Sequence, residues 1–311
     1  MQFEENLRNY FGTIPNESEY KKRIRCHQGW WRSFVLNEEQ GKNPIRTEEK
    51  VCNTILGGEI SRHNFLSETV FKSVEQTILE RKEYEAGLFN QDRLFNNLLS
   101  SQPLAFNFFG ELKQDYKLAK KAISCFIPNL TRVTNVLFEF APKENYISDN
   151  SAFDIALEIE INGKTGLFGL ECKYTDSFSA KEYTKENYKK IFNNSANFKE
   201  PYEKYIQSRY NQLFRNQLIA ESLIQNNNYS FVFTGLFCFQ GDTEAIETGK
   251  AFQTMLNNGP ESFKIISYSD FISALQKQEL TWQQREFTML LWARYCGLEL
   301  SEKTYKKINT V

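Results

Sequence analysis

Residues 154–173 read DIALEIEINGKTGLFGLECK, and this stretch decides the fold. Asn162-Gly163 is the strongest short-range signal for a two-residue type I′ turn, which joins two antiparallel strands and needs positive φ at both positions. With those two residues as the loop, Ile161 faces Lys164 and, counting back along both strands, Asp154 faces Glu171. Directly opposed Cβ atoms lie about 4.5–5.5 Å apart, near enough for two carboxylates to share one ion. Facing like charges repel, so the pair breaks a local rule, and a cation is the simplest compensation. Lys173, on the same face as Glu171 and one pleat beyond, completes an arrangement suited to holding a divalent metal beside a phosphate.

Both faces of the hairpin support this register. Phe153, Ile155, Leu157, Ile159 and Ile161 share a face with Phe168, Leu170 and Cys172, which predicts an apolar surface turned to the core. The opposite face carries Asp154, Glu158, Glu160, Thr165, Glu171 and Lys173. A one-residue slip would mismatch the two apolar faces, so burial selects the register. Glu158 lies about 13 Å from Asp154 along the strand and, with Glu160, reads as solvated outer face.

The composition narrows the class. The chain has 311 residues, 41% of them hydrophobic, enough to fill one large core or two ordinary ones. The 27 Phe and 15 Tyr are read as core filling rather than base stacking. A formal net charge of −1 excludes a global basic field, so any phosphate binding must come from local clusters. The opening MQFEENLRNY lacks the basic and apolar regions of a secretory signal, and the longest apolar run, 229–239, is too short to span a bilayer. A soluble, cytoplasmic protein with no membrane partner is expected. The six cysteines contain no CxxC, which suits a reducing compartment, and Cys26, His27, Cys52 and His63 match no common zinc spacing.

Periodicity predicts helices over 17–34, 67–85 and 92–100, punctuated by Pro44 and Gly57-Gly58, then a helix over 112–123. Lys113, Lys117, Lys120 and Lys121 would form a basic stripe on that helix, more naturally a solvated face than a phosphate contact. A strand over 131–140 and the hairpin give three consecutive strands. Helices follow over 180–192 and 202–225. In the second, Tyr205, Ile206, Tyr210, Leu213, Phe214 and Leu218 form the buried stripe, and Arg209, Gln212, Arg215 and Asn216 lie off it, able to reach a substrate. The run 229–239 is apolar on both faces, as a central strand of a mixed sheet should be. A strand over 263–268 and helices over 270–276 and 282–295 complete an α/β architecture.

Asp154, then Glu171-Cys172-Lys173 on the next strand, followed by a helix and a buried strand, resembles the PD-(D/E)XK nuclease superfamily with its restriction-endonuclease-like fold. Phe153 stands where that motif often has proline. QGWW (28–31), RLFNNLLSSQPLAFNFFGEL (93–112), the hairpin and NQLFRNQLIAE (211–221) are similar to a bacterial subgroup of predicted restriction endonucleases. The resemblance implies an α-β-β-β-α-β core, a central mixed sheet flanked by helices, over 96–245. A largely helical region over 1–95 would pack on it, and 246–311 would complete the same domain.

The resemblance also implies a Mg²⁺-dependent nuclease acting on DNA, a restriction- or repair-type endonuclease. Asp154, Glu171 and the backbone carbonyl of Cys172 would hold the ion, with Mn²⁺ able to substitute. Lys173 would position the attacking water and stabilise the transition state. Glu111 is a candidate further acid, or a residue favouring a helix amino terminus. Gln212 and Arg215 are candidates for the scissile phosphate or for steadying their helix. Asn107 and Gln102 either shape the site or cap turns, and Trp30 and Trp31 are read as packing. A homodimer would allow two sites to cut two strands. The alternative is a catalytically silent nuclease-like module that binds nucleic acid or a partner protein. A retaining glycosidase also needs two close carboxyls, but Lys173 argues against it.

Overall fold

The computed structural model describes residues 10–12, 14, 16–42, 49–84 and 90–309. Pro44 and the last residue of the helix expected over 67–85 lie outside them. Helix α1 (Glu19–Trp30) continues as a π-helical turn through Val35. A small antiparallel pair, β1 (Gln40–Lys42) and β2 (Lys50–Ile55), interrupts the helical amino-terminal region. Helices α2 (Glu68–Tyr84), α3 (Gln91–Phe95), α4 (Ser101–Gln114) and α5 (Tyr116–Ile123) precede the main sheet.

The main sheet has five strands in the order β3 (Leu130–Phe140), β4 (Phe153–Ile161), β5 (Lys164–Lys173), β6 (Phe231–Cys238) and β7 (Phe263–Ser267). β3, β4 and β5 pair antiparallel, and β6 and β7 join parallel to β5. The chain therefore carries the α-β-β-β-α-β order and the mixed sheet expected of a restriction-endonuclease-like core. Helices α6 (Glu186–Asn193), α7 (Ser208–Gln225) and α8 (Thr243–Thr254) cover one face. Helices α2, α4, α5, α9 (Tyr268–Gln276) and α10 (Trp282–Tyr295) cover the other, and α11 (Glu302–Asn309) packs near α1.

The hairpin has the expected register. Ile161 pairs with Lys164 and the ladder runs back to Ile155 opposite Leu170. Asn162 and Gly163 take φ of +50° and +76°, the positive values a type I′ turn needs. Ile155, Leu157, Ile159, Phe168, Leu170 and Cys172 share one core, as predicted. Phe153 is the exception: it packs in the core on the α7 side, where its ring lies over Gly169, and a Cβ there would come within 2.5 Å of the ring. The hairpin's polar face is therefore not an open surface, because α7 lies on it.

Two helix boundaries differ from expectation. The helix predicted over 112–123 is two helices, α4 and α5, broken at Asp115, whose carboxylate accepts the backbone N–H groups of Lys117 and Leu118, both at 3.0 Å. An Asx cap of this kind competes with continuing the helix. The break also dismantles the lysine stripe: Lys113 is buried, donating to Glu80 and to the Val136 carbonyl, while Lys117, Lys120 and Lys121 stay exposed. The helix expected over 92–100 stops at Phe95, and β2 meets the following segment through Ile55 N–H to Asn96 O and Leu98 N–H to Asn53 O.

A polar network ties α1 to the carboxy-terminal helices. Gln28 Nε2 donates to the Arg294 carbonyl at 2.8 Å, and the wholly buried Arg294 guanidinium donates to Asn64 O, Asn64 Oδ1 and Gln28 Oε1. Among the described residues, no helix is long and apolar enough to cross a membrane.

Candidate active site

Asp154 and Glu171 are the next residues on β4 and β5 beyond the Ile155–Leu170 pair, and both line one cavity of about 710 Å³. Across β3, Phe138 pairs with Ile155 and Phe140 with Phe153, which sets Glu139 opposite Asp154. Three acids thus form a row over three adjacent strands: Glu139, Asp154, Glu171. Glu139 also lines the cavity.

Asp154 keeps some access to solvent but lies deep among protein atoms. Burial pushes its carboxyl well above the ordinary carboxylate value, and the charges of Glu171 and then Glu139 push it further; the Cys172 N–H donated to Oδ2 at 2.6 Å and the Lys173 charge oppose this. Burial likewise raises the Cys172 thiol, whose side chain packs in the apolar core on the sheet face away from Asp154 and Glu171, which leaves the Cys172 carbonyl as the candidate ligand.

Glu171 is held from three sides and is only 4% exposed. Gln212 Nε2 donates to Oε1 at 2.5 Å, Asn216 Nδ2 donates to Oε2 at 2.9 Å, and the Lys173 ammonium lies 3.2 Å from Oε1. Lys173 Nζ also donates to Gln212 Oε1 at 2.7 Å and sits 4.9 Å from the centre of the Phe178 ring. Gln212 and Asn216 are one turn apart on α7, so a single helix face clamps the acid and the lysine together. An ammonium has three donors, which leaves one N–H of Lys173 beyond these two contacts.

The structure separates the expected site residues into two groups. Asp154, Glu171, Cys172, Lys173, Gln212 and Gln102 line the cavity. Glu111, Asn107 and Arg215 do not. Glu111 lies within the last part of α4, not at a helix start, and accepts from Ser67 Oγ at 2.6 Å, with burial raising its carboxyl. Asn107 is completely buried, donating to Asn64 O and the Tyr295 hydroxyl and accepting from Leu66 N–H. Arg215 pairs with Asp149 at 3.4 Å and stacks 4.6 Å from the Tyr183 ring centre. All three fasten helices or loops.

Sequence reasoning did not find Glu139, nor the amino-terminal wall of the cavity, which includes Arg25, Asn53, Thr54 and Arg93. Arg25 is gripped by Glu17 through Nε at 2.9 Å and Nη2 at 2.6 Å, and the half-exposed Arg93 lies 3.6 Å from Asp176. Asn216 was visible only as a polar residue off the buried stripe of its helix.

The donor set fits a hard divalent cation: carboxylate and amide oxygens, with the thiol withdrawn. Among the described residues, no three His, Cys, Asp or Glu side chains gather into a metal-binding cluster. The protein would then contribute a pair of carboxylates and neutral oxygens, a set compatible with an ion that keeps several waters. No curated protein and no solved structure matches the chain. A family model described as the PD-(D/E)XK nuclease superfamily matches residues 15–297, a span holding every residue of the cavity. With its five-stranded mixed sheet and with Asp154 and Glu171-x-Lys173 at one cavity, the chain belongs to the PD-(D/E)XK nuclease superfamily.

Proposed function

We propose that this protein hydrolyses phosphodiester bonds in DNA with Mg²⁺, or Mn²⁺ in its place, as an endonuclease of restriction or repair type. The observation that carries the reading is the buried triad of Glu171, Lys173 and Gln212 next to Asp154. Two facing acids with a clamped lysine have no structural need to be there, since apolar residues at a buried site cost less. Asp154, Glu171 and the Cys172 carbonyl would hold the ion. A divalent cation so held supplies an activated water and offsets charge on the phosphoryl oxygens.

The remaining chemistry belongs to the protein. Lys173 directs its third N–H at the attacking water and the phosphoryl oxygens, and burial strengthens that interaction. Gln212 and Asn216 keep Glu171 in one orientation, so little reorganisation is needed when the phosphate arrives. The half-exposed Arg93, which lines the same cavity 3.6 Å from Asp176, offers charge to a flanking phosphate where the chain as a whole offers none.

The test is incubation of labelled DNA and RNA oligonucleotides with the protein and Mg²⁺, followed by product analysis. DNA cleavage by the wild type and its loss in Asp154→Asn are expected. Cleavage of RNA alone would overturn the DNA assignment, and binding without cleavage would assign the chain to a silent nucleic-acid-binding module.

A further inference from the structure

Resting on the proposed nuclease reading, we infer that Phe178 is a positioning residue, whose ring holds the Lys173 ammonium at the cavity wall from the side turned away from the substrate. Lys173 ends β5, where the chain enters a twelve-residue segment, 174–185, that leads to α6. A lysine head is a compact charge on a flexible stem, so its position depends on what surrounds it. The backbone beneath it is fixed, because the Tyr268 hydroxyl donates to the Lys173 carbonyl. The head itself meets Glu171 and Gln212, and the Phe178 ring centre lies 4.9 Å from Nζ.

Two cavities meet at this lysine. Phe178 does not line the large one; with Lys173 it lines a separate recess of about 10 Å³, which Tyr20, Lys21, Asp242, Glu244 and Ala245 also border. A recess of that size has no room for a substrate group, so the ring acts through Lys173 rather than on the substrate. The acids of α8 and its cap, Glu244 and Asp242, offer the ammonium an alternative to Glu171 on that side. The ring stands in the way and attracts the charge with its own face. It offers no lone pair, which leaves the third N–H of Lys173 to the attacking water.

The segment that carries the ring is strapped down from the amino-terminal half of the chain. Thr175 Oγ1 donates to Leu99 O at 3.4 Å, Asp176 lies 3.6 Å from Arg93 on α3, and Ser177 Oγ accepts from Lys21 Nζ of α1 at 2.9 Å. Each contact is weak where it is exposed, but three on successive residues fix the backbone just before Phe178. The amino-terminal helices thereby reach the reacting lysine from outside the α-β-β-β-α-β core.

Steady-state nicking of supercoiled plasmid by the whole protein in Mg²⁺ separates kcat from KM. Phe178→Leu keeps an apolar side chain and loses the ring face; it should lower kcat about tenfold and leave KM within about twofold of wild type. Phe178→Tyr restores the ring and should keep kcat within about threefold of wild type. Mn²⁺ affinity, measured by calorimetry, should be the same in all three proteins, since Asp154 and Glu171 are untouched. Wild-type kcat in Phe178→Leu, a loss confined to KM, a kcat loss matched by a fall in Mn²⁺ affinity, or a tyrosine variant as slow as the leucine one overturns this inference and leaves the nuclease reading in place. A wild type that does not nick overturns that reading and this inference with it.

Discussion

Asp154→Asn should stabilise the metal-free protein. Two unit charges about 5 Å apart, the spacing of opposed cross-strand positions, repel by about 3 kcal/mol at an effective dielectric near 20. Lys173, 3.2 Å from Glu171, and the solvent still reaching Asp154 reduce this to about 1–2 kcal/mol. Asparagine keeps an oxygen to accept the Cys172 N–H and removes the charge. Because the Asp154 carboxyl is raised in the folded state, its stability contribution is fully present below the unfolded value of about 3.9 and is lost as pH climbs through the folded value. Urea unfolding in EDTA should therefore show a higher midpoint for the variant at pH 8, with an unchanged slope, and the gap should shrink as pH falls. Mg²⁺ should reverse the order, since an ion present at a hundred times its dissociation constant adds about 2.7 kcal/mol to the wild type alone. If the variant is no more stable than the wild type at pH 8 in EDTA, the electrostatic account of the site is wrong.

Other outcomes follow from the same contacts. Asn216→Ala removes the donor to Glu171 Oε2 and should weaken Mn²⁺ binding roughly 10–100-fold, measured by calorimetry; unchanged affinity would mean the clamp is idle. Arg215→Met should leave the cleavage rate within about twofold of wild type, because Arg215 serves Asp149 and Tyr183; a large rate loss at unchanged stability would return it to the substrate. Arg294→Met strands the buried acceptors of Asn64 and Gln28 and should cost about 3 kcal/mol or more in urea unfolding, with a loss under 1 kcal/mol counting against the network.

The hairpin was legible because its register depends on local signals: the Asn162-Gly163 turn and the alternating apolar faces. Glu139 was not, because β3 reaches β4 through a twelve-residue connection, whose length specifies no register between the two strands. No count along the sequence could place it. Glu111, Asn107 and Arg215 were polar residues in the right neighbourhood, and only tertiary packing separates a side chain that fastens a helix from one that faces a cavity. Arg25 and Arg93 belong to elements whose position over the sheet depends on contacts such as β2 with 96–98, which no periodicity reveals. The α4–α5 break had a visible signal in Asp115, a strong helix cap inside a run of helix formers.

The most direct measurement is conversion of supercoiled plasmid in Mg²⁺ by the wild type and by Lys173→Ala, each shown to be folded. Lys173 touches Glu171 and Gln212 at the cavity wall, and its loss should reduce nicking by at least a hundredfold while EDTA abolishes nicking by the wild type. Equal rates for the two proteins would contradict the account at its centre.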